Sequence, residues 1–142
     1  MSRLIFINLP VRDLDRSVAF YERMGAEKNP QFSDHTAACM VMSDVIHVML
    51  LTHDKFRQFT PREIADAGRV TEVLLAISAA SRDAVDSLVD TANGAGGRSD
   101  PAPVQDHGFM YCRSFEDPDG HIWEVAWMDL EAAMAAAPQT AA

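Results

Sequence analysis

The residues best suited to chemistry lie near the end of the sequence, where a carboxylate stands among aromatic side chains. Successive side chains of a β-strand point to opposite faces. Because Trp123 and Trp127 alternate with Glu124, we expect both tryptophans to pack against a helix and Glu124 to point the other way. A carboxylate on that face can act as a general base or bind a hard metal ion.

The preceding strand adds a phenol and a guanidinium. Tyr111 and Arg113 share one face of this strand, so both are candidate residues of a substrate pocket. Arg113 can pair with a substrate carboxylate, or it can serve a structural role by neutralising Glu124. Near the start of the chain, Asn8 shares a face with Phe6, where its amide can bind a ligand or satisfy local backbone groups.

Other kinds of catalytic site lack the residue patterns that they require. Cys39 and Cys112 lie far apart in apolar segments, which predicts reduced thiols rather than a disulfide framework or a zinc motif. The sequence has no glycine-rich phosphate loop, no Gly-x-Ser-x-Gly and no Cys-His pair at catalytic spacing. The histidines are not at close ligand spacing, and each is interpreted as a surface or strand-end residue: His35, His47, His53, His107 and His121.

Composition restricts the class of partner. The 142 residues, 48% of them hydrophobic, have the length and composition of one soluble domain with a real core. The 21 Asp and Glu against 12 Lys and Arg give a net charge of -9, which repels phosphate backbones and anionic lipids. No apolar run approaches the ~20 residues of a membrane span, and no signal pattern opens the chain. We therefore expect a cytoplasmic protein with no nucleic-acid or membrane partner.

Two halves of the sequence repeat one order of elements. In the first half, a strand over residues 4–9 precedes a helix that Asp13 caps and Gly25 ends. Three β candidates follow, at residues 31–33, 37–42 and 45–52. In the second half, a strand over 72–77 precedes a helix that Ser81 caps. Its β candidates lie at 99–104, 109–115 and 121–127. This order predicts an α+β protein made of two tandem βαβββ modules.

The unmatched segments lie between and after the modules. The sequence divides into a first module at residues 1–52, a flap or linker at 53–69, a second module at 70–128 and a tail at 129–142. The linker is predicted to be helical over 61–67 and to act as a mobile cover that brings Phe59 to the substrate pocket. The Ala-rich tail is predicted to form a short helix through Ala136 that frays after Pro138.

These features resemble the vicinal oxygen chelate superfamily, which includes glyoxalase I, bleomycin-resistance proteins and extradiol dioxygenases. The resemblance rests on the tandem modules and on residues 11–21 (VRDLDRSVAFY) and 117–124 (DPDGHIWE), and it covers nearly the whole chain. Residues 5–11, 52–56 and 108–111 resemble the bacterial branch usually named predicted lactoylglutathione lyase. The resemblance implies a cupped mixed sheet with the helices on its outer face.

In the metal enzymes of that superfamily, ligands come from the first and last strand of each module. Carried over by position, they correspond to Phe6, Leu50, Glu72 and Glu124. Phenylalanine and leucine cannot bind a metal ion, so Phe6 and Leu50 would instead line the substrate pocket with apolar side chains. Only Glu72 and Glu124 remain as metal ligands, and the resemblance makes them the candidate catalytic pair.

Two carboxylates are fewer than the three or four protein ligands of a tightly bound catalytic metal ion. A hard ion such as Mg²⁺ can be held by one or two carboxylates when the substrate supplies further ligands, which leaves a weakly bound divalent metal as the candidate cofactor. Without a metal, two acids that face one apolar cup raise the pKa of at least one of them and create a general base. Glu72 can equally be an exposed edge residue, and Glu124 can serve only the turn motif that it ends.

Two functional hypotheses follow, and both have a small-molecule ligand. The first is a glyoxalase-like lyase or isomerase, in which Glu124 is a base or metal ligand and Glu72 is its partner. The alternative is a metal-free protein that binds or sequesters an apolar small molecule, as bleomycin-resistance proteins do, which the apolar Phe6 and Leu50 favour. The resemblance also implies a homodimer, while the sequence identifies neither the substrate nor a glutathione site.

Overall fold

The computed structural model describes residues 3–136, and the fraying predicted after Pro138 lies outside them. The first module contains β1 (Ile5–Val11), α1 (Leu14–Arg23), β2 (Glu27–Asn29), a 3-10 turn (Pro30–Phe32), β3 (Ala37–Val41) and β4 (Ile46–Thr52). The linker begins with α2 (His53–Arg57). The second module contains β5 (Leu75–Ser78), α3 (Arg82–Ala95), β6 (Arg98–Ser99), β7 (Gln105–Asp106), β8 (Met110–Glu116) and β9 (Ile122–Met128), and α4 (Leu130–Ala136) follows it.

Each module forms its own mixed sheet, and the two sheets share one strand order. The first sheet has the order β1-β4-β3-β2, and the second has the order β5-β9-β8-β6 with β7 also paired to β8. The first strand of each module runs parallel to the last, and the other pairs are antiparallel. The predicted α+β class with two βαβββ modules is confirmed. Among residues 3–136, β1 and β5 each have an outer edge with no partner strand.

Local sequence signals begin and end the two long helices. The Asp13 side chain accepts a hydrogen bond from the backbone N–H of Arg16, and Ser81 accepts one from Ala84 in the same way. Helix α3 ends at Gly96, whose φ of 107° lies in the left-handed region that favours glycine. No helix in the described part of the chain is both long enough and apolar enough to cross a membrane.

The faces of the strands alternate between a shared core and the opposite, open side. In β1, Leu9 and Val11 are buried, whereas Phe6 and Asn8 are exposed. Helices α1 and α3 contribute to one continuous core that extends across both modules. Its largest buried side chains include four aromatic residues, Phe20, Tyr21, Phe115 and Trp123. Full burial of one such side chain contributes about 1.5–3 kcal/mol, so these rings are a main reason why the modules pack together.

A buried polar network joins the modules at the turn between β8 and β9. The Asp117 carboxylate accepts hydrogen bonds from the Tyr21 hydroxyl at 2.7 Å and from the backbone N–H groups of Asp119 and His121. The Trp123 indole donates to the Tyr21 oxygen at 3.0 Å. Burial raises the pKa of Asp117 above its usual value. The carboxylate therefore depends on these donors to remain in the interior.

The second acid of this turn, Asp119, contacts the start of α1. Its carboxylate accepts hydrogen bonds from the backbone N–H of Arg12 at 2.9 Å and from the Ser17 hydroxyl at 3.3 Å. Asp119 and Ser17 are both buried. Both acids of the turn are therefore acceptors for donors of the first module. We call this set of contacts the seam, and it fixes where the two modules meet.

The short edge strands differ from their predictions. The candidate strand at residues 31–33 is not formed, because Pro30 begins a 3-10 turn there and β2 ends before it. The candidate at 99–104 is replaced by the two short strands β6 and β7. Pro101 and Pro103 lie between these strands, and proline cannot donate to a strand ladder.

The linker also differs from its prediction. Residues 61–67 are not helical, and the linker helix within the described residues is α2, which the Thr52 side chain caps. The strand predicted over 72–77 begins only at Leu75. Glu72 therefore belongs to an exposed loop that precedes the strand.

We expect Asp117→Ala to lower the free energy of unfolding by about 3 kcal/mol, because the Tyr21 hydroxyl and two backbone N–H groups lose a buried acceptor. Asp44→Ala is the matched control, since Asp44 is exposed in the turn between β3 and β4. We expect the control to change stability by less than about 0.5 kcal/mol. Urea denaturation measures both values, and equal losses would contradict the role given to the seam.

Candidate functional site

A cleft of about 310 Å³ lies where the two modules meet, beneath the linker. One wall is formed by the end of β1 and the start of β9, and the other is formed by linker residues between α2 and β5. Most of the lining is apolar, and the side chains that shape it include Leu9, Pro10, Phe56, Ile64, Leu75 and Ile122. A cavity of this size and character is typical of a small-molecule site.

Two contacts hold the linker against the seam. Arg12 forms an ion pair with Asp66 at 3.3 Å, and Gly68 packs directly on Gly120 of the β8–β9 turn. A Cβ added to Gly120 would lie 2.7 Å from the backbone nitrogen of Gly68. The Gly68 N–H and then the Arg12 guanidinium lower the pKa of Asp66. The linker is therefore a wall of the cleft, and its predicted mobility stays a prediction.

His121 lines the cleft and lies directly before β9. Its Nε2 lies 2.8 Å from the carbonyl oxygen of Pro10, and its backbone N–H donates to Asp117 at 2.9 Å. The ring also borders a small void of about 10 Å³, with room for about one water molecule, that His53 shares. Asp117 thus fixes the backbone of His121, and the Pro10 carbonyl fixes its ring.

The charged side chains of the cleft are Arg62, Glu63 and Glu72. None of the three forms an ion pair with another of residues 3–136. Two carboxylates against one guanidinium leave the cleft with an excess of negative charge. Asn8 also lines the cleft, and its amide nitrogen lies 3.4 Å from the carbonyl oxygen of Phe6. Of the predicted site residues, the structure brings only Asn8 and Glu72 together in this cleft.

Glu124 lies outside the cleft, on the face of the second sheet that points away from α3. It pairs with Ala76 of β5 and Ser114 of β8, while Trp123 beside it is fully buried in the core. Its carboxylate has no hydrogen bond or ion pair with residues 3–136. Burial, and then the charge of Glu124, raises the pKa of the Cys112 thiol nearby. The structure does not bring Glu124 and Glu72 into one pocket.

Tyr111 and Arg113 lie on the other face of the second sheet, against α3. The Arg113 guanidinium contacts Asp86 at 2.8 Å, Asp90 at 2.9 Å and Asp100 at 2.6 Å. The Tyr111 hydroxyl donates to Asp86 at 2.6 Å. The hydrogen bonds that Arg113 donates to Asp100, Asp86 and Asp90 raise its pKa. Both residues therefore hold a helix to the sheet, and Arg113 pairs with neither a pocket ligand nor Glu124.

The remaining predicted pocket residues are also placed elsewhere. Leu50 is fully buried in the core beside its strand partner Leu9, because it lies on the helix-facing side of β4. Phe6 is on the open side, where its ring stacks on His47 at a centroid distance of 4.7 Å. Phe59 is 69% exposed, and it is Phe56 that lines the cleft.

The donor set does not fit a tightly held metal ion. Residues 3–136 contain no group of three or more His, Cys, Asp and Glu side chains arranged to hold one. The positions that carry ligands in the resemblance supply Phe6 and Leu50, which have no donor atom, and they supply Glu72 and Glu124 in separate places.

His121 is the cleft residue that sequence reasoning interpreted as a strand-end residue and nothing more. The sequence shows only that it follows the Asp-Pro-Asp-Gly turn. The contact that orients its ring joins it to Pro10, 111 positions away, and no local pattern reveals such a contact. Phe56 could have been found, since it is an aromatic residue in the linker that was predicted to cover the pocket.

Comparison with known proteins gives a family and several similar structures. A family model described as the Glyoxalase/Bleomycin resistance protein/Dioxygenase superfamily matches residues 3–125. A hypothetical protein from S. aureus has a TM-score of 0.74 at 25% identity, with 89% of this chain and 95% of that chain covered. Fosfomycin resistance protein FosX from Mesorhizobium loti has a TM-score of 0.66 at 17% identity, with 94% and 98% covered. No curated protein matches the chain. The likeness to FosX shows the fold alone.

We expect Gly120→Ala to be more destabilising than Gly108→Ala by about 1–3 kcal/mol. Both glycines have positive φ, 95° and 79°, so both variants carry backbone strain, but a Cβ at Gly108 meets nothing within 4 Å. The added methyl group at Gly120 has to displace the linker at Gly68. Urea denaturation measures the difference, and hydrogen exchange should show faster exchange of the amides of residues 68–70. Equal losses with unchanged exchange would show that the linker is not packed on the turn.

Proposed function

The chain belongs to the Glyoxalase/Bleomycin resistance protein/Dioxygenase superfamily, and we propose that within it this protein binds and sequesters a small molecule without chemical change. The ligand occupies the cleft beneath the linker and is held mainly by apolar contacts. No metal ion takes part in this binding. The proposal corresponds to the bleomycin-resistance type of function rather than to a lyase or isomerase.

The observation that carries this proposal is the mostly apolar lining of the cleft, which does not include Glu124. The cleft has the volume of a small-molecule site, and its lining is mostly apolar. Glu124, the candidate base, is not among the residues that line the cleft, although it shares a face of β9 with Ile122, which does line it. A catalytic base must come within hydrogen-bond reach of the proton that it removes. The residues that surround a ligand in the cleft are mainly apolar, and that base is not one of them.

Binding follows from the burial of apolar surface. A ligand that loses about 150 Å² of apolar surface to Phe56, Leu75 and Ile122 gains about 4 kcal/mol, which corresponds to a dissociation constant near 1 mM. The loss of ligand freedom on binding reduces that gain. A ligand of physiological affinity therefore needs a larger apolar body or at least one polar contact with the wall.

A second candidate function rests on the unpartnered carboxylate of Glu124. Within residues 3–136 it has no hydrogen bond or ion pair that would give it a structural role. In this alternative the protein is a glyoxalase-like lyase or isomerase, with Glu124 as the base and Glu72 as its partner. A substrate that supplies further ligands would allow a weakly bound divalent metal at these carboxylates.

We also propose that the protein works as a homodimer in the cytoplasm. The outer edges of β1 and β5 present backbone groups to which a second copy can add a strand. Exposed apolar residues at the edges of the two modules, including Ile5, Leu74 and Met128, supply surface that such a contact would cover.

Filling the cleft should abolish binding of a neutral apolar dye, N-phenyl-1-naphthylamine. Ala65 lines the cleft and is exposed, so Ala65→Trp places an indole inside it with little effect on the core. We expect dye binding, followed by fluorescence, to weaken at least about tenfold. Ala102→Trp is the control, because Ala102 is exposed and lies outside the cleft. Equal binding by both variants and the parent protein would contradict the proposal.

Glu124→Gln distinguishes the two candidate functions. We expect the variant to keep dye binding and to change the free energy of unfolding by less than about 0.5 kcal/mol, because the Glu124 carboxylate has no hydrogen bond or ion pair within residues 3–136. We also expect the protein loaded with nickel, cobalt or zinc to show little activity on the hemithioacetal of methylglyoxal and glutathione. Turnover of ~1 per second or more that disappears in Glu124→Gln would favour the enzyme instead.

A further inference from the structure

One of the polar residues that line the cleft is a histidine, His121. We propose that Nδ1 of His121 accepts a hydrogen bond from the ligand, and that the ligand is a neutral apolar ring carrying an O–H or N–H donor, as a phenol does. This proposal rests on the proposed function, because it names the class of molecule that the same cleft binds.

The contact with Pro10 sets the protonation of the ring. A carbonyl oxygen only accepts hydrogen bonds, so Nε2 of His121, 2.8 Å away, carries a proton and donates it. In an uncharged imidazole with a proton on Nε2, Nδ1 has a free lone pair and is an acceptor. The backbone of β1 thus holds the ring in the tautomer that presents an acceptor.

Nδ1 is open to a ligand. It has no hydrogen-bond partner among residues 3–136. It is also not buried, because the buried side-chain nitrogens and oxygens without a partner in that part of the chain are the two of His47. His121 is one of the residues that line the cleft, and the residue as a whole is half-buried. An accessible acceptor on an immobilised ring loses little freedom when it binds a donor.

The surroundings select which donors fit. Phe56, Leu75 and Ile122 make apolar walls that favour a ring over a polar chain. Glu63 and Glu72 against Arg62 leave an excess of negative charge, which opposes carboxylates and phosphates. The net charge of -9 for the whole chain adds to that opposition. A neutral ring with one donor meets both conditions.

The probes that test this assignment are 4-methylphenol and 4-methylanisole. They share one ring, but only the phenol has a donor, and the more apolar ether would bind better if burial alone decided. The measurement uses about pH 8, where an ordinary phenol is protonated. Calorimetry or ligand-observed NMR gives the two dissociation constants. We expect the parent protein to bind the phenol about three to ten times more tightly.

His121→Gln is the test variant. A glutamine amide can still donate a hydrogen bond to the Pro10 oxygen, but it has no acceptor at the position of Nδ1. We expect its preference for the phenol to fall to about one or below. His53→Gln is the control, since His53 borders the small void but not the cleft, and it should keep the parent preference.

Three results would overturn the assignment of His121. They are an unchanged preference in His121→Gln, a parent protein that prefers the ether, and no binding of either probe. The first two leave the proposed function intact, because the ring still binds in the cleft. The third rejects the ligand class, and the dye experiment with Ala65→Trp then decides separately whether the cleft binds apolar molecules at all.

Discussion

The structure depends on the burial of one carboxylate. Asp117 lies in the interior between the modules, and donors from the Tyr21 hydroxyl and from two backbone N–H groups of its own turn keep it there. A buried carboxylate that lacks hydrogen-bond donors lowers the stability of the folded protein. The turn and α1 therefore stay in the one relative position in which Tyr21 can donate to Asp117. The Trp123 indole donates a hydrogen bond to the Tyr21 oxygen, which also connects Tyr21 to β9 of the second sheet. The modules therefore meet in one geometry, although no strand of the first sheet pairs with a strand of the second.

The contacts of the seam position the residues that form the candidate site. The turn that presents Asp117 also presents Gly120, on which the linker packs, and His121, whose ring reaches Pro10. The cleft is thus a space between parts that the seam positions, rather than a hollow within either sheet. Its apolar walls and excess negative charge are compatible with neutral rings and unfavourable for anions.

The sequence could predict what repeats locally and could not predict what depends on contacts between distant residues. Alternation of Glu124 with two tryptophans correctly placed Trp123 in the core. In β4, by contrast, Val48, Met49 and Leu50 form an unbroken apolar run, and only pairing with β1 decides that Leu50 faces the core.

The partners of Arg113 and the position of the cleft depend on contacts between residues that are distant in the sequence. Asp86 and Asp90 are four residues apart on α3 and so share a face, which is a signal for an arginine partner in the sheet. Nothing local indicates that Arg113 is that partner. The cleft requires β1, β9 and the linker to converge, and the contacts that join the first module to the β8–β9 turn include pairs 96 and 111 positions apart in the sequence.

That separation has a consequence for the order of events on the ribosome. Tyr21 leaves the exit tunnel 96 residues before Asp117 does. At about 5–20 residues per second, the first module waits roughly 5–20 s with the Tyr21 and Ser17 hydroxyls lacking their acceptors and with the part of α1 that contacts α3 uncovered. During that interval the half-made chain exposes apolar surface to other chains and to chaperones. The last strand to be synthesised is the one that ends this exposure.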